Sequence, residues 1–570
     1  MGFFQKLKTK HFIAIIFLVG FLVYLNIFPN GFVWDDEEQI VNNTLIQNLG
    51  NLPQLLTSST FQTGGTGRLS GYYYRPTMTI SFMANFALWK LNPFGYHFFQ
   101  LMIHLLNASL VFLILNYLFQ ERKLKNSLFI AFAVALIWLV HPANVEAVGY
   151  IASTQEVLYT LFSLLALFVF LRGKEFKKDL VISLVFIFLA LLSKESAVIM
   201  ISIIFFYLFI FQQRKQAFYF AGFSFLVFLV YAFLRIVVAK ISLNPPHFSP
   251  IAGASLLQRL QTVPFILFSY LRLIFFPVNL SISHHEIVKS LDLMFWGSLI
   301  TVLIILAIII FYLWQSKNKL GLFFLLWLAV SMAFVLNIFP LDMTYAERWL
   351  YLPMIGFLGL LAGIFADLRP RLIKLEKVFP FLLLCLLLLL SVRTILREKD
   401  WRHGLTLFSH DVVYSQNSFD LENNLGVELF RTGKIQEAKT HFEKSISLQV
   451  DWWFPYNNLG AVYQQEGDLK KARELYEESI EKGNYFLAHE NLAFVVLETE
   501  EPKKAIEIIQ KSLSSLPYNL RLWTALTLAY YQDKQFEKAE ELARKLYSSS
   551  PNNQTRGLLE AILNRKEIEF

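Results

Sequence analysis

Apolar positions fall into long uninterrupted runs over about the first four hundred residues of this chain, and into a helical periodicity after that. Eleven runs predict helices able to cross a bilayer, allowing for tilt: residues 11–28, 94–119, 127–143, 154–171, 179–195, 196–212, 217–239, 294–315, 319–338, 349–367 and 377–396. A further run, 264–277, is short and broken by Arg272, which predicts a re-entrant or interfacial segment. The first run follows Lys6, Lys8 and Lys10 and ends in Phe28-Pro29-Asn30. No small-residue cleavage site follows, so it reads as an uncleaved first span with its N-terminus inside.

The pattern changes near Asp400. Leu425-Gly426, Leu459-Gly460, Leu492-Ala493 and Leu526-Thr527 recur at about 34 residues. Ala438, Ala472, Ala505 and Ala539 follow each Leu at a constant offset, then Phe442, Tyr476, Ile509 and Ala543. Pro517 and Pro551 end the third and fourth units. This is the tetratricopeptide (TPR) pattern of helix–turn–helix units, which stack into a solenoid with a concave face. The expected class is all-α: a polytopic membrane helical bundle over 1–399, a linker over 400–416 and a TPR α-solenoid of about four repeats over 417–570.

Composition agrees. Of 570 residues, 55% are hydrophobic and only 16% charged, against about 25% charged in a soluble domain. A soluble enzyme with one core, a disordered chain and a collagen-like fibre are excluded. Cys385 is the single cysteine, which excludes an intrachain disulfide and sites built on several thiolates. Residues 416–570 hold 19 Lys+Arg and 24 Asp+Glu; with a net charge of +8, the preceding residues carry +13. That excess lies in short loops: Arg122/Lys123/Lys125, Arg172/Lys174/Lys177/Lys178, Arg214/Lys215, Lys317/Lys319 and Arg369/Arg371/Lys374/Lys377. All fall on the cytoplasmic side if the eleven runs cross and 264–277 does not. The pattern suits anionic lipid and not nucleic acid. The C-terminus is then outside. Trp34-Asp35-Asp36-Glu37-Glu38, His141 to Glu146, Lys194-Glu195, His284-His285-Glu286 and Ala346-Glu347-Arg348 converge on the same outer face.

Several of these groups carry candidate chemistry. Asp35 or Asp36, held near the apolar layer, suits a general base for a hydroxyl or a metal-and-pyrophosphate site; the plain alternative is a solvated acidic turn. Ionisable residues such as Lys194, Glu195, Glu347 and Arg348 at membrane depth are functional or structurally paired. Glu146, near the helix-breaking Pro142, suits a cation or a substrate; the plain alternative, favoured on the residues alone, is a satisfied interfacial pair. His97, Gln100, His104 and Asn107 form one stripe on the 94–119 helix, expected to bond neighbouring helices. Asn424, Asn458 and Asn491 precede the Leu of three repeats and would form a ladder able to pair with an extended peptide; the plain alternative is a purely structural asparagine.

The ordered set resembles a known family. Phe32-Val33-Trp34-Asp35-Asp36 is similar to the acidic motif of GT-C glycosyltransferases. Tyr74-Arg75-Pro76, Leu91 to His97, His104 to Asn107, His141-Pro142 through Val148, Lys194-Glu195 and Ala346 to Leu352 occur in the order found in transmembrane-and-TPR-containing protein O-mannosyltransferases. The shorter repeat array is a departure from the eukaryotic members. The Phe/Ile/Lys-rich composition resembles a bacterial relative, with the site on the periplasmic face of the inner membrane. The resemblance implies an inverting transferase that moves mannose or another hexose from a polyprenyl-phosphate carrier to protein hydroxyl groups. It implies Asp35 as base, with Asp36 orienting a substrate. Arg348, Lys194 and Arg75 would take the phosphate, His141, Glu146, Glu195 and Glu347 would shape the substrate site, and Asn424, Asn458 and Asn491 would hold the acceptor. No cofactor is expected, although these residues leave open a divalent ion at Asp35-Asp36. The alternatives are oligosaccharide transfer from a lipid pyrophosphate and a non-catalytic, membrane-anchored TPR scaffold.

Overall fold

A computed structural model describes residues 8–60, 73–241, 249–368 and 378–565. Lys6 and the Arg369/Arg371/Lys374/Lys377 cluster lie outside the described residues. The chain forms two compact units, one running to Asn417 and the other from Ser418 onward. Among the described residues all regular elements are helical, and His284 and Tyr345 make an isolated antiparallel bridge.

Each of the eleven apolar runs contains a helix of the first unit. Among the described residues five helices are long and apolar enough to cross a membrane: Pro93–Glu121, Ile151–Arg172, Arg214–Val238, Leu293–Ser316 and Phe379–Asp400. A sixth crossing results if Ser127–Leu139 and Pro142–Gly149, bent by 56°, act as one span. Thr9–Val23, Glu195–Phe211, Lys319–Ala333 and Pro353–Leu368 are apolar but shorter. The run expected at 264–277 belongs to a longer helix, Leu256–Phe275, which tolerates Pro264 in its interior and starts with a capping box at Ser255 and Gln258.

Pro93–Glu121 lies at the centre of this unit. Asn92 caps it by accepting the Phe94 N–H at 3.1 Å, and Pro93 occupies the first turn, where no amide partner is needed. Its polar stripe is fully buried and grips other elements. The Gln100 amide donates to the carbonyls of Ala147 (2.7 Å) and Tyr150 (2.8 Å) and accepts the Thr154 hydroxyl at 2.9 Å. His104 bonds the Tyr351 hydroxyl at 2.7 Å and the Leu139 carbonyl at 3.0 Å. Asn107 donates to Val157 O at 2.9 Å. Two irregular stretches, 140–153 and 344–351, are thereby fixed against one helix.

Residues 400–416 do not form the expected linker. They contain the helix Gly404–Tyr414, which belongs to the first unit. Asp411 anchors it: both carboxylate oxygens take the Arg397 guanidinium, at 2.6 and 2.9 Å, and one also accepts the Ile282 N–H at 2.9 Å. Burial alone would raise Asp411; the guanidinium outweighs that and holds it below the usual carboxylate range.

The second unit contains four helix pairs: Phe419–Arg431 with Ile435–Leu448, Phe454–Gln465 with Leu469–Gly483, Phe486–Thr499 with Pro502–Ser515, and Leu520–Gln532 with Phe536–Ser549. A final helix, Asn553–Leu563, packs on the last pair. Ala438, Ala472, Ala505 and Ala539 are fully buried at the helix crossings. A Cβ on Gly426 would lie 2.6 Å from the Phe442 ring, and one on Gly460 would lie 2.7 Å from the Tyr476 ring. The repeat's glycines therefore let one helix of a pair approach the aromatic ring of the other.

Candidate active site

The cavity of interest lies within the first unit and measures about 120 Å3. Five separate stretches bring polar groups to it, the first four being Asp35 and Gln39 from the turn after the first helix; Tyr73 and Arg75; Tyr150, Gln155 and Glu156; and Lys194 and Glu195. The segment before Pro353 adds Asp342, Arg348 and Trp349.

Asp35 is half-buried and faces this space. Burial pushes its carboxyl up to about 6, against the pull of the Tyr150 hydroxyl and the Arg348 guanidinium. Asp36, its sequence neighbour, is fully buried and does not line the cavity. One of its oxygens accepts the Val33 N–H at 3.0 Å and the other the Ala152 N–H at 2.6 Å. This corrects the expected substrate-orienting role: Asp36 staples two loops together. A tight turn sends adjacent side chains to opposite sides, and only one reaches the open space.

The three expected phosphate-binding cations all line the cavity, each paired with a carboxylate from another element. Arg75 makes a bidentate pair with Glu195, at 2.8 and 3.2 Å, and lies 4.0 Å from the centroid of the Tyr73 ring. Lys194 pairs with Glu156, and Arg348 pairs with Glu146. Glu146 also accepts the Arg348 backbone N–H at 2.8 Å. The pairing is therefore never between sequence neighbours, so neither Lys194-Glu195 nor Glu347-Arg348 is a local pair.

Of the expected substrate-shaping residues, only Glu195 lines the cavity. His141 is buried, bonding Ile274 O at 3.0 Å and the Ala143 N–H at 3.3 Å. Glu146 lies behind Arg348 as its partner. Glu347 turns away and accepts the Ser281 N–H at 2.5 Å; burial raises it well above the ordinary carboxylate range, although Arg397 opposes this. All three side chains are buried in packed protein.

Sequence reasoning missed Tyr73, Tyr150, Glu156 and Asp342. Glu156 had a signal, as the lone carboxylate at the start of an apolar run. Tyr150 had none, because tyrosine is ordinary at a helix end. In the second unit the asparagine ladder exists, but its amides bond between repeats: Asn458 donates to Asn423 at 2.9 Å and Asn491 to Asn457 at 3.0 Å, while Asn424 accepts from Asn423 at 3.3 Å. Among the described residues no group of three or more His, Cys, Asp or Glu side chains is placed to hold a metal ion.

Fold and cavity define a class: an all-α membrane protein in which an apolar helical bundle with an ionic cavity precedes a TPR solenoid. Tetratricopeptide-repeat families match residues 423–449 and 456–483. Over most of its length the chain is homologous to protein O-mannosyl-transferases of the transmembrane-and-TPR type. It is 28% identical over 450 residues to the protein O-mannosyl-transferase F38B6.6 of Caenorhabditis elegans, covering 77% of this chain and 63% of that one. It is 25% identical to protein O-mannosyl-transferase TMTC3 of Homo sapiens, covering 80% and 53%. The Mus musculus TMTC3 is 24% identical, covering 95% and 60%. The chain thus spans between about half and two thirds of the length of these relatives. Among solved structures, the TPR protein YrrB matches 28% of this chain and 82% of its own at 14% identity, with a TM-score of 0.25.

Proposed function

We propose that this chain is a membrane protein O-glycosyltransferase that moves mannose or another hexose from a polyprenyl-phosphate carrier to hydroxyl groups of proteins on the outer face. One observation carries the reading: a half-buried carboxylate, Asp35, shares a cavity with Arg75, Lys194 and Arg348. A phosphate ester is a good leaving group and needs no acid, whereas an alcohol is a poor nucleophile at neutral pH and needs a base. In the proposed step the acceptor oxygen attacks the anomeric carbon and its proton passes to Asp35. The bond from that carbon to the phosphate oxygen breaks, and its electron pair leaves with the phosphate. The new bond forms opposite the old one, so the sugar inverts.

The cations stabilise the departing phosphate through charge-assisted hydrogen bonds. Their carboxylate partners hold them in place beforehand, so little reorganisation is needed at the moment of reaction. No metal ion takes part in this proposal, and a chelator should leave the rate unchanged. The names of the relatives support the transfer to protein, and the TPR unit is proposed to bring the acceptor.

The test is transfer from synthetic polyprenyl-phosphate mannose to a serine- and threonine-containing peptide by the purified protein. Asp35→Asn should lose transfer, since an amide cannot take the hydroxyl proton. Substantial residual transfer would move the base elsewhere. A requirement for a divalent cation would favour lipid-pyrophosphate chemistry instead.

A further inference from the structure

Tyr150 has a side chain that nothing in the fold itself requires to be a tyrosine. Its ring is the middle layer of an aromatic stack. Trp34 lies on one side, with centroids 5.3 Å apart and planes 17° apart, and Trp401 on the other, at 5.4 Å and 27°. Phenylalanine would fill the same space. The hydroxyl is buried and, among the described residues, closes no hydrogen bond of ordinary geometry, yet it lines the cavity beside Asp35, whose carboxyl it already pulls down. A buried hydroxyl left without a partner is unfavourable, and native structures rarely keep one without a use for it.

The surroundings of Tyr150 are over-determined. Gln100 holds its carbonyl at 2.8 Å. Two residues on, the Ala152 N–H is held by Asp36 at 2.6 Å. Asp36 also holds Val33, next to Trp34, whose backbone sits at φ +57°. A bulky residue adopts that conformation only when neighbouring contacts impose it. The strained turn carrying Trp34 and Asp35 is thus fastened to the loop carrying Tyr150 by both the Asp36 staple and the ring stack. Fastening the two loops fixes the Tyr150 side chain relative to the turn that carries Asp35.

We infer that Tyr150 is a positioning residue for the base of the proposed reaction: its hydroxyl donates to one oxygen of Asp35 and leaves the other oxygen turned toward the acceptor hydroxyl. The inference rests on the reading of Asp35 as base. A carboxylate that accepts a hydrogen bond is favoured in its charged form, so the contact also keeps Asp35 ionised in a half-buried site. The other groups acting on Asp35 are Arg348, which favours the charged form, and Asp342 and Glu38, which oppose it.

The full-length protein with Tyr150→Phe tests this, because the variant removes one oxygen and keeps the stack. Carbodiimide labels the protonated carboxyl, and peptide mass spectrometry follows the modification of Asp35 from pH 4 to 9. The midpoint should lie near 6 in the parent protein, the value to which Asp35 is pushed, and should rise by roughly one pH unit in the variant, as expected when a charged group loses a hydrogen bond. Transfer should fall about fivefold at pH 6 and nearly recover at pH 8.5, the ratio a one-unit rise gives in the ionised fraction. The KM of donor and acceptor should change little. An unmoved labelling midpoint overturns the inference, as does a loss of equal size at every pH, which marks a packing effect. Labelling does not depend on turnover, so the two readings can fail separately. If the midpoint moves but Asp35→Asn retains transfer, the contact stands and the base assignment falls.

Discussion

Asp35 and Asp36 differ by one bond in sequence and by everything in environment. Asp35→Asn should abolish transfer while leaving the thermal midpoint unchanged, because no backbone amide depends on its side chain. Asp36→Asn should lower that midpoint, since one oxygen is replaced by an N–H donor facing the Ala152 or Val33 amide. A buried mismatch of this kind costs about 1–3 kcal/mol. Thermal scans of the two purified variants beside their activities check the contrast. Because burial pushes Asp35 up to about 6 and only its ionised form accepts a proton, the rate should fall as pH drops through 6 and level off above 7. A profile without that limb would count against Asp35. For Arg348→Ala the donor KM should rise more than the acceptor KM. Arg348→Lys should restore only part of the loss, because a point charge lacks the planar fork that pairs with Glu146 and a phosphate together.

At the scale of elements, the decisive piece is the helix Pro93–Glu121. Its buried amides and imidazoles hold the irregular loops that carry Tyr150 and the segment following Arg348. Gln100→Leu should therefore weaken transfer without touching substrate, by releasing the Ala147 and Tyr150 carbonyls. In the solenoid, Gly460→Ala should destabilise the repeat by about 1–3 kcal/mol, the usual range for overpacking, because the new methyl meets the Tyr476 ring. Gly557→Ala, where nothing lies within 4 Å, is the control and should stabilise by up to about 1 kcal/mol, the helix-propensity gain of alanine over glycine. Chemical denaturation followed by circular dichroism distinguishes the pair. The stripe was legible in the sequence as spacing. Its targets were not, since Ala147 and Tyr150 contribute backbone carbonyls that every residue possesses.

For the whole molecule, the boundary between units matters most. The helix Gly404–Tyr414 belongs with the membrane unit through Arg397 and Asp411. Removing residues 418–570 should then spare transfer to a short peptide at high concentration and sharply reduce transfer to whole proteins, because a tethered acceptor meets the site at high effective concentration. Equal losses on peptide and protein would make the solenoid a support and not an acceptor arm. Asp411→Ala in the full-length chain should damage both, since it leaves the buried Arg397 charge without its bidentate partner.

The sequence by itself determined the helical class, the two-part organisation and the repeat, because these rest on periodicities and run lengths that survive without tertiary contacts. It also marked Asp35, Arg75, Lys194, Glu195 and Arg348, which line one cavity although up to 313 positions separate them, but it missed Glu156 and Asp342 there and included Asp36, Glu146 and Glu347, which do not line it. A charge in an apolar segment is costly unless it is paired, so such residues stand out from their neighbours alone. Only the tertiary structure decided the partners and directions. Glu146 holds Arg348, Glu156 holds Lys194, Asp36 staples loops, and Glu347 and His141 face packed protein. Which way a side chain points from an irregular turn depends on backbone angles fixed by contacts from far along the chain. Residue type and spacing carry no record of them.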